Sequence, residues 1–345
     1  MDEERSNPLW LHGSAVESKA AHAGLPVRLA QRLCSLLLKP SVEPWAWLAS
    51  KRLAPLLFFS FLLAIVATTR HFGFDLYNEN NSLYWIYPYV ADGWGVWYFL
   101  ANLGLNFYAF FFLANCLLAA AIMWLAFPAA REKSARFDVT QLALLFYMMF
   151  WFLFGQARYG TAVGLLAIAA FCESLPLALC LMLFAFLIHK AALGGVLLIF
   201  GWRLLRRRKH GVLLALVFCL AVSALVLAFS RQLLSLSGYA GYSYWEESLM
   251  AATPLKYLGV LALLLLWLWW WRDPAGHARN LLILALLVFP FSLYVVFAGR
   301  SYQLFFVVFL AGLREKMVPQ PVKYLAGLMC AVELYILLFR TGLYF

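Results

Sequence analysis

A series of long apolar runs, separated by short connectors, decides most of what this chain can fold into. Eleven runs cover roughly 54–70, 105–127, 139–156, 158–172, 175–189, 191–204, 211–230, 255–271, 279–298, 300–312 and 322–340. A helix that crosses a bilayer needs about 20 apolar residues, and fewer where it ends inside the membrane or in protein. The chain therefore reads as all-α, a polytopic integral membrane protein with about 11 transmembrane helices, between 10 and 12. Composition agrees: 65% of the residues are hydrophobic and 12% charged, where a soluble domain carries about 25% charged residues. No stretch outside the runs is long enough for a separate soluble domain.

The net charge of +11 would suit a nucleic-acid partner if it formed one face. It does not; most of it lies in short connectors, the pattern of the positive-inside rule. With the N-terminus inside, seven of the 27 Lys and Arg fall outside: Arg70, Arg158, Lys190, Arg231, Lys256, Arg300 and Arg340. The other 20 lie on the inner side. The expectation is a multi-pass protein of the bacterial inner (cytoplasmic) membrane with a cytoplasmic N-terminus, membrane lipids as partners and no nucleic acid. Two regions follow. Residues 1–53 form a cytoplasmic segment, and 54–345 form the transmembrane domain. Within the first, LPVRLAQRLCSLLLK at 25–39 spaces apolar and basic positions as an amphipathic helix, lying in the plane of an anionic leaflet or packed on the protein itself. No cleavable signal peptide is visible. The six cysteines form no CxxC or Cys/His cluster, so neither a disulfide framework nor a metal site is expected, and no cofactor is implied.

Two outside loops are rich in aromatic residues. Residues 71–104, HFGFDLYNENNSLYWIYPYVADGWGVWYFLANLG, are also mildly acidic, and 231–254 carry GYAGYSYWEES. Tyr and Trp faces stack on sugar C–H faces, and carboxylates accept hydroxyl protons. The same residues also build an interfacial aromatic belt.

Four outside cations or potential cations sit where free solvation is difficult. Arg158 lies in FLFGQARYGTAVG, His189 and Lys190 lie between LCLMLFAFLI and AALGGVLLIF, and Arg300 lies between YVVFAG and SYQLFFVVF. Burying such groups is costly unless they are paired or line a wet cavity. The runs 158–172, 175–189 and 191–204 hold about 15 residues each, so at ~1.5 Å per residue they span about 22 Å of a core about 30 Å thick. The turns at Arg158 and His189 are thus expected below the outer surface, in a polar pocket. Arginine pairs with phosphate bidentately and keeps its charge, so Arg158 and Arg300 suit a lipid-linked diphosphate. His189 suits a general base or phosphate ligand. Asp75, soon after the first run, is a candidate base or sugar-hydroxyl acceptor. Tyr77, Gln156, Tyr159, Lys190 and Tyr302 neighbour these residues and are candidate substrate contacts. Arg70, Arg231 and Arg340 read first as snorkelling side chains, with Arg70 kept among the candidate contacts. Glu333, within the last run, suits a partner on another helix.

Taken in order, FGFDLYNEN, QARYGTAVGLLAIAA, AFLIHKAALGGVLLIF and GRSYQLFFVVF resemble the EpsG family of bacterial polysaccharide polymerases, a Wzy-like group, over about 50–312. The family pattern has an aspartate and tyrosine in the first outside loop, here Asp75 and Tyr77. An arginine then opens a helix, here Arg158 with Ala162. A histidine closes the next, here His189, and a later arginine precedes an aromatic helix, here Arg300. Lys190 departs from the small hydroxylated residue more usual after the histidine. The resemblance implies a GT-C-like membrane glycosyltransferase architecture and a polymerase that joins undecaprenyl-diphosphate-linked glycans at the periplasmic face. Undecaprenyl diphosphate leaves, without a metal. A chain-length regulator and a flippase of the same pathway would be its partners. Two other functions fit parts of the pattern. One is an O-antigen ligase or GT-C-type enzyme using a polyprenyl-phosphate donor, which Asp75 and Glu79 would suit. The other is a lipid-linked glycan flippase or transporter, disfavoured by the one-sided cations and the lack of an internal repeat.

Overall fold

A computed structural model describes residues 53–69, 107–126, 138–189, 192–236, 277–292, 295–313 and 320–340. Among these residues every element is helical and there is no strand, as the apolar runs predict. The helices are α1 (Leu53–Thr69), α2 (Phe107–Ala126), α3 (Val139–Met148), α4 (Ala157–Phe171), α5 (Leu175–Ile188), α6 (Ala192–Leu205), α7 (Gly211–Leu236), α8 (His277–Ser292), α9 (Val295–Leu313) and α10 (Gln320–Tyr335). A π-helical turn, Met149–Leu153, extends α3, and another, Ile336–Arg340, extends α10. Residues 1–52, the loop 71–104, the run 255–271 and most of the loop 231–254 lie outside the described residues.

Two boundaries differ from expectation. Helix α7 runs on to Leu236, with a non-helical break at Phe229 (φ −123°, ψ 23°). The runs 279–298 and 300–312 divide earlier than expected, because α8 ends at Ser292 and α9 starts at Val295. Pro290 near the end of α8 lacks the donor for an internal bond, which favours an early stop. Arg300 therefore sits in the second turn of α9 and not in a connector.

Among the described residues, Gln320–Phe339 is the one helix that is both long and apolar enough to cross a membrane. Helices α4, α5 and α6 have 15, 14 and 14 residues, so each is about 21–23 Å long.

Helix α4 sits at the centre. It packs against α2, α5, α6, α9 and the π turn of α3. Its sequence, ARYGTAVGLLAIAAF, places small residues wherever another backbone comes close. A Cβ on Gly160 would run into Phe152, and one on Gly164 would come within 2.8 Å of the Ala121 Cβ on α2. The spacing of four residues puts both glycines on one face, the close-approach pattern of apolar helix pairs. Thr161 Oγ1 lies 3.1 Å from the Ala114 carbonyl and 2.7 Å from the Ala157 carbonyl of its own helix, so the hydroxyl serves both backbones. Helix α9 is the second central element, buried on every side from Tyr302 to Leu313, as a helix apolar all round must be. By contrast α5 buries only the stripe Ala178, Met182, Ala185 and Ile188.

An ion pair ties α10 to the start of α3. Asp138 caps α3 in a capping box with Gln141, and its other carboxylate oxygen lies 2.5 Å from Lys323 Nζ. The lysine side chain is 5% exposed and the aspartate 21%. Removing one partner from such a pair leaves a buried charge, at a cost of about 3–5 kcal/mol. Asp138→Ala should therefore lower the midpoint of thermal unfolding in detergent strongly. Asp138→Ala with Lys323→Met should recover much of the loss; a double variant as unstable as the single one would show that the cap, not the pair, carries the effect.

Candidate functional site

The turn from α3 into α4 is short because the π turn brings the chain round early. Phe154 and Gln156 donate their backbone N–H groups to Met149 (2.8 Å) and Trp151 (3.2 Å). Between them lies Gly155, where a Cβ would meet the Trp151 carbonyl oxygen at 2.5 Å, so a side chain there is blocked. Gln156 is the N-cap of α4 and is half-buried. Arg158, also half-buried, and Tyr159, which is buried, follow in the first turn of α4.

Tyr159 is the hub. Its hydroxyl donates to the Arg300 carbonyl oxygen on α9 at 2.8 Å. The Arg300 guanidinium carbon lies 5.6 Å from the centre of the same ring, within the range of a cation–π contact. The His189 ring meets the ring edge-on, with centres 5.3 Å apart and planes at 70°. His189 is the C-cap of α5; its N–H donates to Ala185 (3.1 Å), and its carbonyl accepts from Ala192 at the start of α6 (2.8 Å). Segments distant in sequence thus bring an imidazole and a guanidinium onto one tyrosine, with Arg158 next to it in the chain. The geometry gives a cation held over an aromatic face beside a half-buried proton acceptor, suited to an anion and a hydroxyl presented together.

Of the residues expected at a site, Arg158, Tyr159, His189 and Arg300 are brought to this end of the bundle, with Gln156 at the cap below them. Tyr302 lies two residues further along α9. It is buried and stacked on Phe306, with ring centres 5.8 Å apart. Asp75, Tyr77, Arg70 and Lys190 lie outside the described residues. Among the described residues no group of His, Cys, Asp and Glu is arranged to hold a metal.

Sequence reasoning did not single out three buried residues near this end. Gln303 follows Arg300 by three residues and is 7% exposed; its Oε1 has no hydrogen-bond partner among the described residues. Its position in an unbroken apolar helix was the available signal. Tyr147 on α3 packs on Phe306, with ring centres 4.8 Å apart. Its hydroxyl likewise has no partner among the described residues. Cys330 on α10 donates to the Ala143 carbonyl (3.2 Å), which places Glu333, one turn on, within electrostatic range of Tyr147.

Comparison of the chain with family models, curated proteins and solved structures returns no match.

The bond from Tyr159 to the Arg300 carbonyl is the simplest part to test. Tyr159→Phe keeps the ring and its contacts with His189 and Arg300 but removes the hydroxyl. A loss of about 1 kcal/mol is expected, read as a lowered unfolding midpoint in detergent. An unchanged midpoint would mean that the hydroxyl adds nothing to the junction of α4 and α9.

Proposed function

We propose that this chain is a multi-pass inner-membrane glycosyltransferase, a Wzy-like polysaccharide polymerase of the EpsG kind. It joins undecaprenyl-diphosphate-linked repeat units at the periplasmic face. The observation that carries the reading is the convergence of Tyr159, His189 and Arg300, with Arg158 adjacent, at one end of short apolar helices. The helix that follows His189, α6, ends at its other terminus in Arg203, Arg206, Arg207, Arg208 and Lys209. The positive-inside rule assigns that strongly basic end to the cytoplasm and so the convergent site to the periplasm. The membrane setting is supported by the outer surface. Leu57, Phe58, Phe59, Leu183, Phe184 and Leu220 are all exposed, and helix after helix carries an apolar outer face far beyond the patches of a soluble monomer.

The reaction follows from the groups. A hydroxyl oxygen of the acceptor glycan attacks the anomeric carbon of the donor chain. The bond from that carbon to the diphosphate oxygen breaks, and its electron pair leaves with undecaprenyl diphosphate. The hydroxyl proton passes to His189 or to Asp75. Negative charge grows on the leaving diphosphate, and fixed cations lower the barrier most where charge develops. Arg158 and Arg300 fill that role. Tyr159 orients both Arg300 and His189, so it positions the site more than it reacts.

Removing one such charge-stabilising donor costs about 10²–10³ in rate. Arg158→Ala and Arg300→Ala should each abolish long-chain glycan in complemented cells, with the single repeat unit still made and the protein present at its normal level. A normal chain-length distribution in both variants would remove the polymerase assignment.

A further inference from the structure

At the opposite end of the bundle, a cavity of about 190 Å³ opens between α4, α6, α8 and α9, lined by Phe171, Glu173, Trp202, Arg206, Asn280 and Leu281. We infer that this cavity is a binding site for the phosphate group of a membrane lipid, with the Arg206 guanidinium as its principal ligand. The inference rests on the membrane setting but not on the polymerase reading.

The surroundings of Arg206 set it apart from the other cations of this end. Arg207, Arg208 and Lys209 are exposed, as charges that merely fix orientation are expected to be. Arg203 is buried and committed: Nη1 donates to the carbonyls of Ala169 (2.6 Å) and Cys172, and Nη2 to that of Glu173 (3.5 Å). It thereby caps the C-terminus of α4. Arg206 is half-buried in the cavity wall. It gives one hydrogen bond to the Ala170 carbonyl (3.3 Å) and lies over the Trp202 ring, 4.7 Å from its centre. A guanidinium has five donors, so this anchoring orients the fork and leaves donors over.

The electrostatics favour an anion. Burial, and then the neighbouring Arg203 and Arg207, push the Arg206 pKa down to about 10, with Glu173 partly opposing them. Three crowded guanidiniums against one carboxylate leave an excess of positive charge, which a phosphate would neutralise. The planar fork matches phosphate bidentately. Asn280 also lines the cavity, and its backbone carbonyl accepts from the Trp202 Nε1–H. Glu173 repels a phosphate, so it limits affinity and sets where the headgroup can sit. Leu197, Phe200 and Leu204 expose an apolar strip along α6, on the face turned away from Trp202. The exposed apolar faces of the helices bring lipid to the bundle, which favours a lipid over free phosphate.

The test uses the full chain purified in detergent and titrated by native mass spectrometry with phosphatidylglycerol, with diacylglycerol of the same chains, and with inorganic phosphate. The wild type should bind phosphatidylglycerol roughly tenfold more tightly than diacylglycerol, the worth of one charge-assisted hydrogen-bond pair. Arg206→Gln should remove that preference, Arg208→Gln should keep it, and Glu173→Gln should increase it. Asn280→Leu, which narrows the cavity without touching a charge, serves as a second variant if Arg206→Gln does not fold, and it should also weaken the preference. Inorganic phosphate bound by the wild type and lost in Arg206→Gln, with no lipid preference, would assign the site to free phosphate and overturn the lipid. Equal binding of the two lipids without phosphate binding, or a preference unchanged in Arg206→Gln and Asn280→Leu, would overturn the site altogether.

Discussion

The junction between α4 and α9 is the contact on which the rest of the arrangement depends. Both are central helices, and both are buried along most of their described length. Tyr159 joins them at one end with a hydrogen bond to backbone and a ring under the Arg300 guanidinium. The glycines of α4 make this possible by letting α2 and the π turn approach closely. If α4 were displaced outward by one methyl group at Gly160, Phe152 would have to move, and the start of α4 would move with it. The chemistry-bearing end is therefore held by small residues that carry no chemistry.

The two ends of the bundle handle charge differently. At the basic end, guanidiniums close α4 by bonding its last carbonyls, where a cation also complements the helix dipole. The capping box of Asp138 and its pair with Lys323 do the same work for α3 and α10. At the other end, Arg300 donates no cap to α4; it offers its carbonyl and lays its charge over a ring. At the basic end Arg203 finishes a helix, while Arg206 keeps donors over.

Much of the helical layout was legible in the chain itself. The described helices fall close to the apolar runs, because an unbroken run of this length leaves the backbone few alternatives. The candidate site was legible through unfavourable placement: Arg158, His189 and Arg300 stand out because apolar neighbours cannot solvate them. What could not be read is pairing across distance. Asp138 and Lys323 are 185 positions apart, and nothing in either local sequence names the other. The role of Tyr159 as hub was equally hidden, since a tyrosine after an arginine looks the same whether it faces lipid, solvent or a neighbouring helix. The sequence starts a run at Arg300, whereas α9 already begins at Val295.

The π turn at Met149–Leu153 has a consequence for how such a site is inherited. A π turn is a helix carrying one residue more than its hydrogen bonds would otherwise need, and such turns gather at functional sites. Here the surplus residue is taken up before the chain reaches Gly155, so Phe152 faces Gly160 and the cap at Gln156 falls where α4 can begin. Losing one residue from this stretch would restore a regular helix and rotate everything after it by about a quarter turn. The spacing between the start of α3 and Arg158 is therefore a quantity in its own right. Sequences may drift in residue type along α3, but their length there is pinned by the need to aim one tyrosine.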